Sequence, residues 1–276
     1  MRPLPRTWRR PATGAAFAAA AVALSGCDLP GFGAPDPAAE EGESIWHLWQ
    51  GFFIAALAVG ALVWGLLIFV LIRYRRRAGD ESVPDQTAFH VPLEILYTAL
   101  PLVAVGILFG FSVATEEKVT DLGSDPAVTV EVVGFQWSWE FRYVDDGDAT
   151  VTVTGSEDEP PELVLPVDQP AHLRLVSDDV AHSFWVPDFL SKRDLIPGIR
   201  NEIEVTPTKI GTFTGRCAEY CGLDHWRMLY SVRVVSQDDY DAWLAEAQAE
   251  AQADAATAAD QDTTDTTGTT DAEAGT

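Results

Sequence analysis

Positive charge is scarce in this chain. Its 276 residues include 18 Lys and Arg against 42 Asp and Glu, and a surface short of cations is a poor partner for nucleic acid, whose phosphates require them. Cysteine is scarcer still. Cys27, Cys217 and Cys221 are the only three, too few for a disulfide scaffold. No Cys-x-x-Cys-His motif occurs, so no c-type haem is attached to the chain. Charge of either sign is missing from residues 51–72 and 95–115, and Lys and Arg are missing from 245–276. Between residues 116 and 237 no helical period of useful length appears, which argues against a helical domain there.

The uneven distribution divides the chain into segments. Arg2, Arg6, Arg9 and Arg10 precede a short apolar run, Ala15 to Leu24, too short to span a bilayer. Residues 1–26 therefore read as a secretory signal. The run ends Leu24-Ser25-Gly26-Cys27, which resembles a bacterial lipoprotein cleavage box, with Cys27 as the expected lipidation site. An ordinary signal peptide with an incidental cysteine is the alternative. Residues 27–45, rich in Pro, Gly and acids, read as a linker. Residues 46–115 read as a transmembrane hairpin, with helices at about 50–72 and 91–115. Roughly 20 apolar residues cross a bilayer core. Trp46 and Trp49 stand where an interfacial aromatic belt belongs, and the Arg73 to Arg77 cluster places the connecting turn in the cytoplasm. Both termini and everything after residue 116 are then extracytoplasmic. Glu94 lies near the cytoplasmic end of the second span, where a carboxylate sits at headgroup level or faces a polar path.

Residues 116–237 read as all-β. Segments 127–133, 150–154, 172–176, 200–206 and 229–235 alternate or are β-branched, with Gly, Pro and Asp between them. Short strands at this spacing suggest a sandwich or barrel. Phe135, Trp137, Trp139, Phe141 and Tyr143 fall at period two, as one aromatic strand face would. Residues 238–253 are expected to form a short helix packing Tyr240, Trp243 and Leu244. Residues 254–276 offer no apolar face and are expected to be a disordered acidic tail.

The chemistry gathers in Gly215-Arg216-Cys217-Ala218-Glu219-Tyr220-Cys221-Gly222-Leu223-Asp224-His225-Trp226-Arg227-Met228. Thiolates, imidazole and thioether are the ligands copper prefers. A Cys217–Cys221 disulfide would suit an oxidising compartment but leaves His225 and Met228 unexplained. Zinc seldom uses Met, and a mononuclear blue-copper site needs one Cys. Two coppers bridged by two thiolates fit better. That site needs a further imidazole, best supplied by His182; His172 lies inside a strand pattern and reads as ordinary.

The spacing Cys217-x-Glu219-x-Cys221-x-x-x-His225-x-x-Met228 resembles the binuclear copper motif of the cytochrome c oxidase subunit II family. Asp179-Val180-Ala181-His182-Ser183-Phe184 resembles its upstream ligand region, and Lys192 to Arg200 its connecting segment. Gly134-Phe135-Gln136-Trp137-Ser138-Trp139 is similar to its aromatic signature, and Glu94 to Pro101 to the start of its second helix. The resemblance spans roughly residues 46–237. It implies an α+β membrane protein: a two-helix transmembrane hairpin followed by an all-β, cupredoxin-like barrel. It implies that Cys217 and Cys221 bridge two copper ions. His182 and Met228 would complete one copper, His225 and the Glu219 carbonyl the other. The Glu219 side chain would reach a magnesium ion shared with subunit I. Trp137 would receive electrons from cytochrome c or a membrane-bound cytochrome c, and Glu94 would stand at the entrance of a proton path. Subunits I and III and membrane lipid are the implied partners, with oxygen reduction and proton pumping located in subunit I. Acids such as Asp145, Asp146, Asp178 and Asp179 would guide a basic cytochrome. A quinol oxidase subunit, a copper chaperone and a nitrous-oxide reductase are the rival readings. They are disfavoured respectively by the full Cys, His and Met set, by Glu94 with the Trp137 region, and by the lack of room for a second catalytic domain.

Overall fold

A computed structural model describes residues 31–79, 81–123, 125–145 and 147–267. The signal segment 1–26, Cys27 and Asp146 lie outside the described residues. The described chain forms two compact units.

The first unit takes in residues up to Asp36 and Trp46–Ser112. It is built on two helices, α1 (Glu40–Arg73) and α2 (Val91–Thr120). Both are long and apolar enough to cross a membrane. Apolar side chains face outward on both, as a lipid solvent permits. The Trp49 indole donates to the Gly31 carbonyl at 3.1 Å, and Phe32 stacks on Phe53. At the start of α2, the His90 backbone N–H donates to the Glu94 carboxylate at 2.9 Å and the Leu93 N–H donates to His90 Nδ1. Glu94 thus caps the helix that carries it.

Both helices exceed the expected spans of about 50–72 and 91–115. Glu40, Glu41 and Glu43 occupy the first turn of α1, where carboxylates complement the helix dipole. At the far end of α2, Glu116, Glu117 and Lys118 continue the helix past the apolar stretch because they are good helix formers.

The second unit comprises Pro37–Ile45 and residues from Val113 onward. Within the expected linker 27–45, whose residues 27–30 lie outside the described ones, Pro37–Ile45 instead docks on this unit. Ala38 and Ala39 are buried. Ala38 N–H donates to the Asp188 carbonyl at 2.8 Å, and Glu40 N–H to that of Thr206 at 2.9 Å. A Cβ on Gly42 would lie 2.6 Å from the Phe189 carbonyl oxygen, so only glycine allows this approach. Composition marked the segment as irregular; small residues let it dock.

The β-domain packs two five-stranded sheets, ordered β3-β2-β1-β5-β8 and β4-β10-β9-β6-β7. The strands are β1 (Val128–Phe135), β2 (Ser138–Asp145), β3 (Asp148–Thr154), β4 (Glu162–Pro166), β5 (Ala171–Ser177), β6 (His182–Val186), β7 (Ser191–Leu195), β8 (Asn201–Val205), β9 (Gly211–Cys217) and β10 (Leu229–Val235). Alternating side chains from both sheets bury Trp139, Phe141, Leu163, Leu173, Phe184 and Val232 between them. Tyr230 stacks on Phe184 and meets Trp139 edge-on, with ring centroids 4.9 and 5.0 Å away. Gly215 lies beneath Tyr230, where a Cβ would fall 2.0 Å from the ring.

One aromatic strand from 135 to 143 does not exist. β1 ends at Phe135, Gln136 and Trp137 form the turn, and β2 begins at Ser138, paired with Phe135. Phe135 faces Ser138 across the hairpin and Gly134 faces Trp139, so Phe135 and Trp139 lie on opposite faces of the sheet and the even spacing of the aromatics does not mark a single face. Trp139, Phe141 and Tyr143 point into the core, while Trp137 leaves it and is half-buried. Its separation from Trp139 is therefore a property of the hairpin.

Tyr143 joins the sheets. Its hydroxyl donates to the Val164 carbonyl at 3.0 Å and accepts from the Val164 N–H at 2.7 Å. Tyr143→Phe should cost about 1–3 kcal/mol, since both backbone groups of Val164 lose a buried partner. Denaturant unfolding of the detergent-solubilised chain measures this; an unchanged midpoint refutes it.

The last helix, α3 (Gln237–Thr267), packs Tyr240, Trp243 and Leu244 against the domain, with Trp243 5.0 Å from Tyr143. It runs beyond residue 253, where a disordered tail was expected to begin. Alanine carries the highest intrinsic helix propensity, so this Ala-rich stretch holds helical backbone without an apolar face to bury. Residues 268–276 lie outside the described residues.

Candidate metal centre

β9 and β10 are antiparallel neighbours, with Arg216 opposite Leu229. The loop between them must therefore leave and return at adjacent points, and the Cys217 N–H closes its base by donating to the Met228 carbonyl at 3.0 Å. A short 3-10 turn, His225–Arg227, aims His225 back toward the cysteines. The Ala218 N–H of the loop donates to the Ser183 carbonyl of β6 at 3.1 Å, which holds the loop beside that strand and its first residue, His182.

The donor atoms converge. Cys221 Sγ is the hub: it lies 3.8 Å from Cys217 Sγ, 3.5 Å from His225 Nδ1 and 3.7 Å from Met228 Sδ. Cys217 Sγ lies 3.8 Å from His182 Nδ1 and 3.2 Å from the Glu219 carbonyl oxygen. His182, Cys217 and Cys221 each offer one atom to a space under 4.8 Å across. The two sulfurs are nearly twice a disulfide length apart, and neither cysteine is bonded to another. Two thiols, two imidazole nitrogens, a thioether and a carbonyl in one pocket fit a soft, copper-type metal better than zinc or calcium.

The surroundings prepare these donors. His182 is wholly buried, and its Nε2 lies 2.8 Å from Asp179 Oδ1. With that carboxylate accepting from Nε2–H, Nδ1 presents its lone pair to the sulfurs. Burial opposes charge on Asp179, but hydrogen bonds from His182 and from the Val180 and Gln136 backbones outweigh it and lower its pKa. Burial would likewise push the Cys217 thiol up; without metal, the doubly protonated form of His182, donating from Nδ1, and the backbone around Glu219 and Ser183 bring it down instead, to about 7. Burial, then the neighbouring Cys217 charge, pushes Cys221 up to about 12. Without metal one thiolate forms readily and the second is resisted, an arrangement that a divalent or monovalent cation between them would relieve.

Trp137 sits at the rim. Its indole N–H donates to the Cys221 carbonyl at 3.2 Å, and the Gln136 side-chain amide donates to the same oxygen at 2.7 Å. Both lie over Gly222, whose φ of +126° suits glycine; a Cβ there would fall 3.0 Å from Gln136 Nε2 and 3.1 Å from Trp137 Nε1. The Gln136 backbone N–H donates to Asp179 Oδ2 at 2.7 Å. Asp145, Asp178 and Asp179 are all exposed, and Asp179, expected as a guiding surface charge, is in addition engaged with His182 and the turn. Gln136 had no separate role in the sequence; only the hairpin brings it to the loop.

Of the residues singled out by sequence, His182, Cys217, Glu219 through its carbonyl, Cys221, His225 and Met228 meet in one pocket, with Trp137 beside it. The Glu219 side chain is on an exposed residue. Glu94 belongs to the helical unit and is no part of this cluster. His172 lies on β5 with Glu202 on the adjacent strand at 3.7 Å, outside the cluster.

The family model described as "Cytochrome C oxidase subunit II, periplasmic domain" matches residues 128–235. A probable cytochrome c oxidase subunit 2 of Streptomyces avermitilis is 40% identical over 278 residues, covering 88% of this chain and 87% of that protein. The chain belongs to the cytochrome c oxidase subunit II family. Cytochrome c oxidase subunit 2 of Mycobacterium tuberculosis is 33% identical over 297 residues, covering 87% of this chain and 82% of that one. The periplasmic domain of subunit II of cytochrome oxidase from Bradyrhizobium japonicum, a solved structure, is 30% identical with a TM-score of 0.42, covering 47% of this chain and 99% of that one. Family membership agrees with the architecture described: an α+β membrane protein with two membrane-length helices followed by a cupredoxin-like β-domain on the extracytoplasmic side.

Proposed function

We propose that this chain is the electron-accepting subunit of a cytochrome c oxidase, holding two copper ions and passing electrons from cytochrome c to haem in subunit I. The observation that carries this reading is the convergence of six donors around the Cys217–Cys221 pair. Cys217 and Cys221 would bridge, His182 and Met228 would complete one position, and His225 and the Glu219 carbonyl the other. When bound, the copper pair would supply one-electron redox chemistry, each change being shared over both ions through the thiolates.

The chain's own residues limit rearrangement. Cys217 ends β9, His182 begins β6, and Met228 stands next to the start of β10, so three donors ride on paired strands. Cys217, Cys221, Met228 and His182 are buried, which excludes water from most of the pocket. Trp137, half-buried and hydrogen-bonded to the Cys221 carbonyl, is the route inward from a docked cytochrome c. Exposed acids such as Asp145 and Asp178 would steer a basic partner. The Glu219 carboxylate would serve a magnesium ion shared with subunit I. Glu94, at the cytoplasmic end of α2, would stand at the entrance of the proton path. Oxygen reduction and proton pumping belong to subunit I in this reading, and subunit III completes the assembly.

Copper reconstitution of the purified full chain tests the assignment. Two coppers per chain and a mixed-valence resonance signal, with one electron shared by both, are expected. A mononuclear signal, or a stable Cys217–Cys221 disulfide that shuts out metal, would sink it.

A further inference from the structure

The carbonyl oxygen of Cys221 is unusual in what meets it. Two side chains from another sheet donate to it, Gln136 at 2.7 Å and Trp137 at 3.2 Å, so both of its lone pairs are engaged. The shorter bond comes from the residue with the least packing. Gln136 is exposed and sits in a two-residue turn, so no core contact explains the placement of its amide. Cys221 is also the side chain whose sulfur touches three other donors. The peptide that follows it, into Gly222, has a backbone angle that few other residues could hold. The direction of that carbonyl sets the orientation of the Cys221 backbone, and therefore where the hub sulfur points.

The same turn grips the other side of the pocket. The Gln136 backbone N–H donates to Asp179 at 2.7 Å, and Asp179 holds His182 Nε2 at 2.8 Å. One residue thus reaches a thiol donor through its side chain and an imidazole donor through its main chain. A substitution removes only the first connection, which makes the two separable.

We propose that Gln136 is a positioning residue of the metal centre: its side-chain amide fixes the Cys221 carbonyl, and with it the hub sulfur and the seat of the Trp137 indole. This rests on the copper reading above. Gln136 touches no reacting atom and acts through Cys221 and Trp137.

Two variants of matched size separate the hydrogen bond from bulk. Gln136→Leu removes the donor, and Gln136→Glu places an acceptor against the carbonyl oxygen. In the copper-loaded full chain in detergent, both should release copper to a chelator roughly fivefold faster than wild type, or more for Gln136→Glu. Both should also shift the thiolate charge-transfer bands and the mixed-valence signal. Thermal unfolding of the metal-free chain should barely move, because substitutions at exposed positions away from the core seldom change stability much. Unchanged release and unchanged spectra in both variants would overturn the proposal. A wild-type chain that takes up no copper would instead defeat the copper reading. The positioning claim is then decided on the metal-free chain, by hydrogen exchange of the Trp137 indole N–H, identified by its loss in Trp137→Phe. Faster exchange in Gln136→Leu supports it, and an unaltered rate overturns it.

Discussion

Cys221→Ser should remove the binuclear character of the site altogether. Cys221 Sγ lies within 3.8 Å of Cys217 Sγ, His225 Nδ1 and Met228 Sδ, so one substitution disconnects the donor set at its centre. A serine oxygen is a hard, weakly acidic ligand and a poor substitute for thiolate toward copper. Changes to outer-shell partners of a metal site typically cost 10–100-fold in affinity or activity, so losing a bridging ligand should lower oxidase turnover by more than about 100-fold. Copper content should fall to one ion or fewer per chain, with the mixed-valence signal gone. The fold should survive, because the loop remains closed at its base by the Cys217–Met228 backbone hydrogen bond; burying a hydroxyl costs about 1–3 kcal/mol. Metal analysis and resonance spectroscopy of the variant, beside its unfolding curve, check this. Retention of two coppers with the shared-electron signal would show that Cys221 is not a bridge.

The second large effect concerns how electrons arrive. Trp137→Phe keeps an aromatic ring in the turn and removes the indole N–H that reaches the Cys221 carbonyl. Gln136 retains the shorter bond to that oxygen, so the absorption and resonance spectra should change little. The rate of reduction by cytochrome c should drop by at least about 10-fold, equivalent to roughly 1.4 kcal/mol of added barrier. Stopped-flow reduction at several salt concentrations measures it. Wild-type rates should also fall as salt rises, since the exposed acids steer a basic partner over a distance that salt screens. A Trp137→Phe rate equal to wild type would move the inlet elsewhere on the domain. A spectrum as disturbed as that expected for Gln136→Leu would mean that Trp137 acts on the metal loop itself.

The residues behind these effects were legible to different degrees. Cys217, Cys221, His225 and Met228 lie within one loop, and their spacing alone marked a copper-type site. His182 is remote in sequence from that loop, and only its loop setting and the family resemblance mark it; β6 beside β9 is what carries it to Cys217. Gln136 is an ordinary polar residue whose role depends on contacts to Cys221 and Asp179, 85 and 43 positions away in sequence. No local pattern encodes such contacts.

The donor chemistry and the two membrane-length helices were written in the sequence itself, because softness of ligands and unbroken apolar length are local properties. Strands β1, β3, β5, β8 and β10 were visible for the same reason, each carrying its own alternation. Only the tertiary structure decided the rest. It split the aromatic run into a hairpin whose turn carries Trp137 at the rim and sets Phe135 on the face opposite Trp139, which spacing along the chain does not show. It tied Pro37–Ile45 to the β-domain through close backbone approach at Gly42. And it aimed donors from two strands and one loop at a common point, which requires the sheet order and not merely the residues.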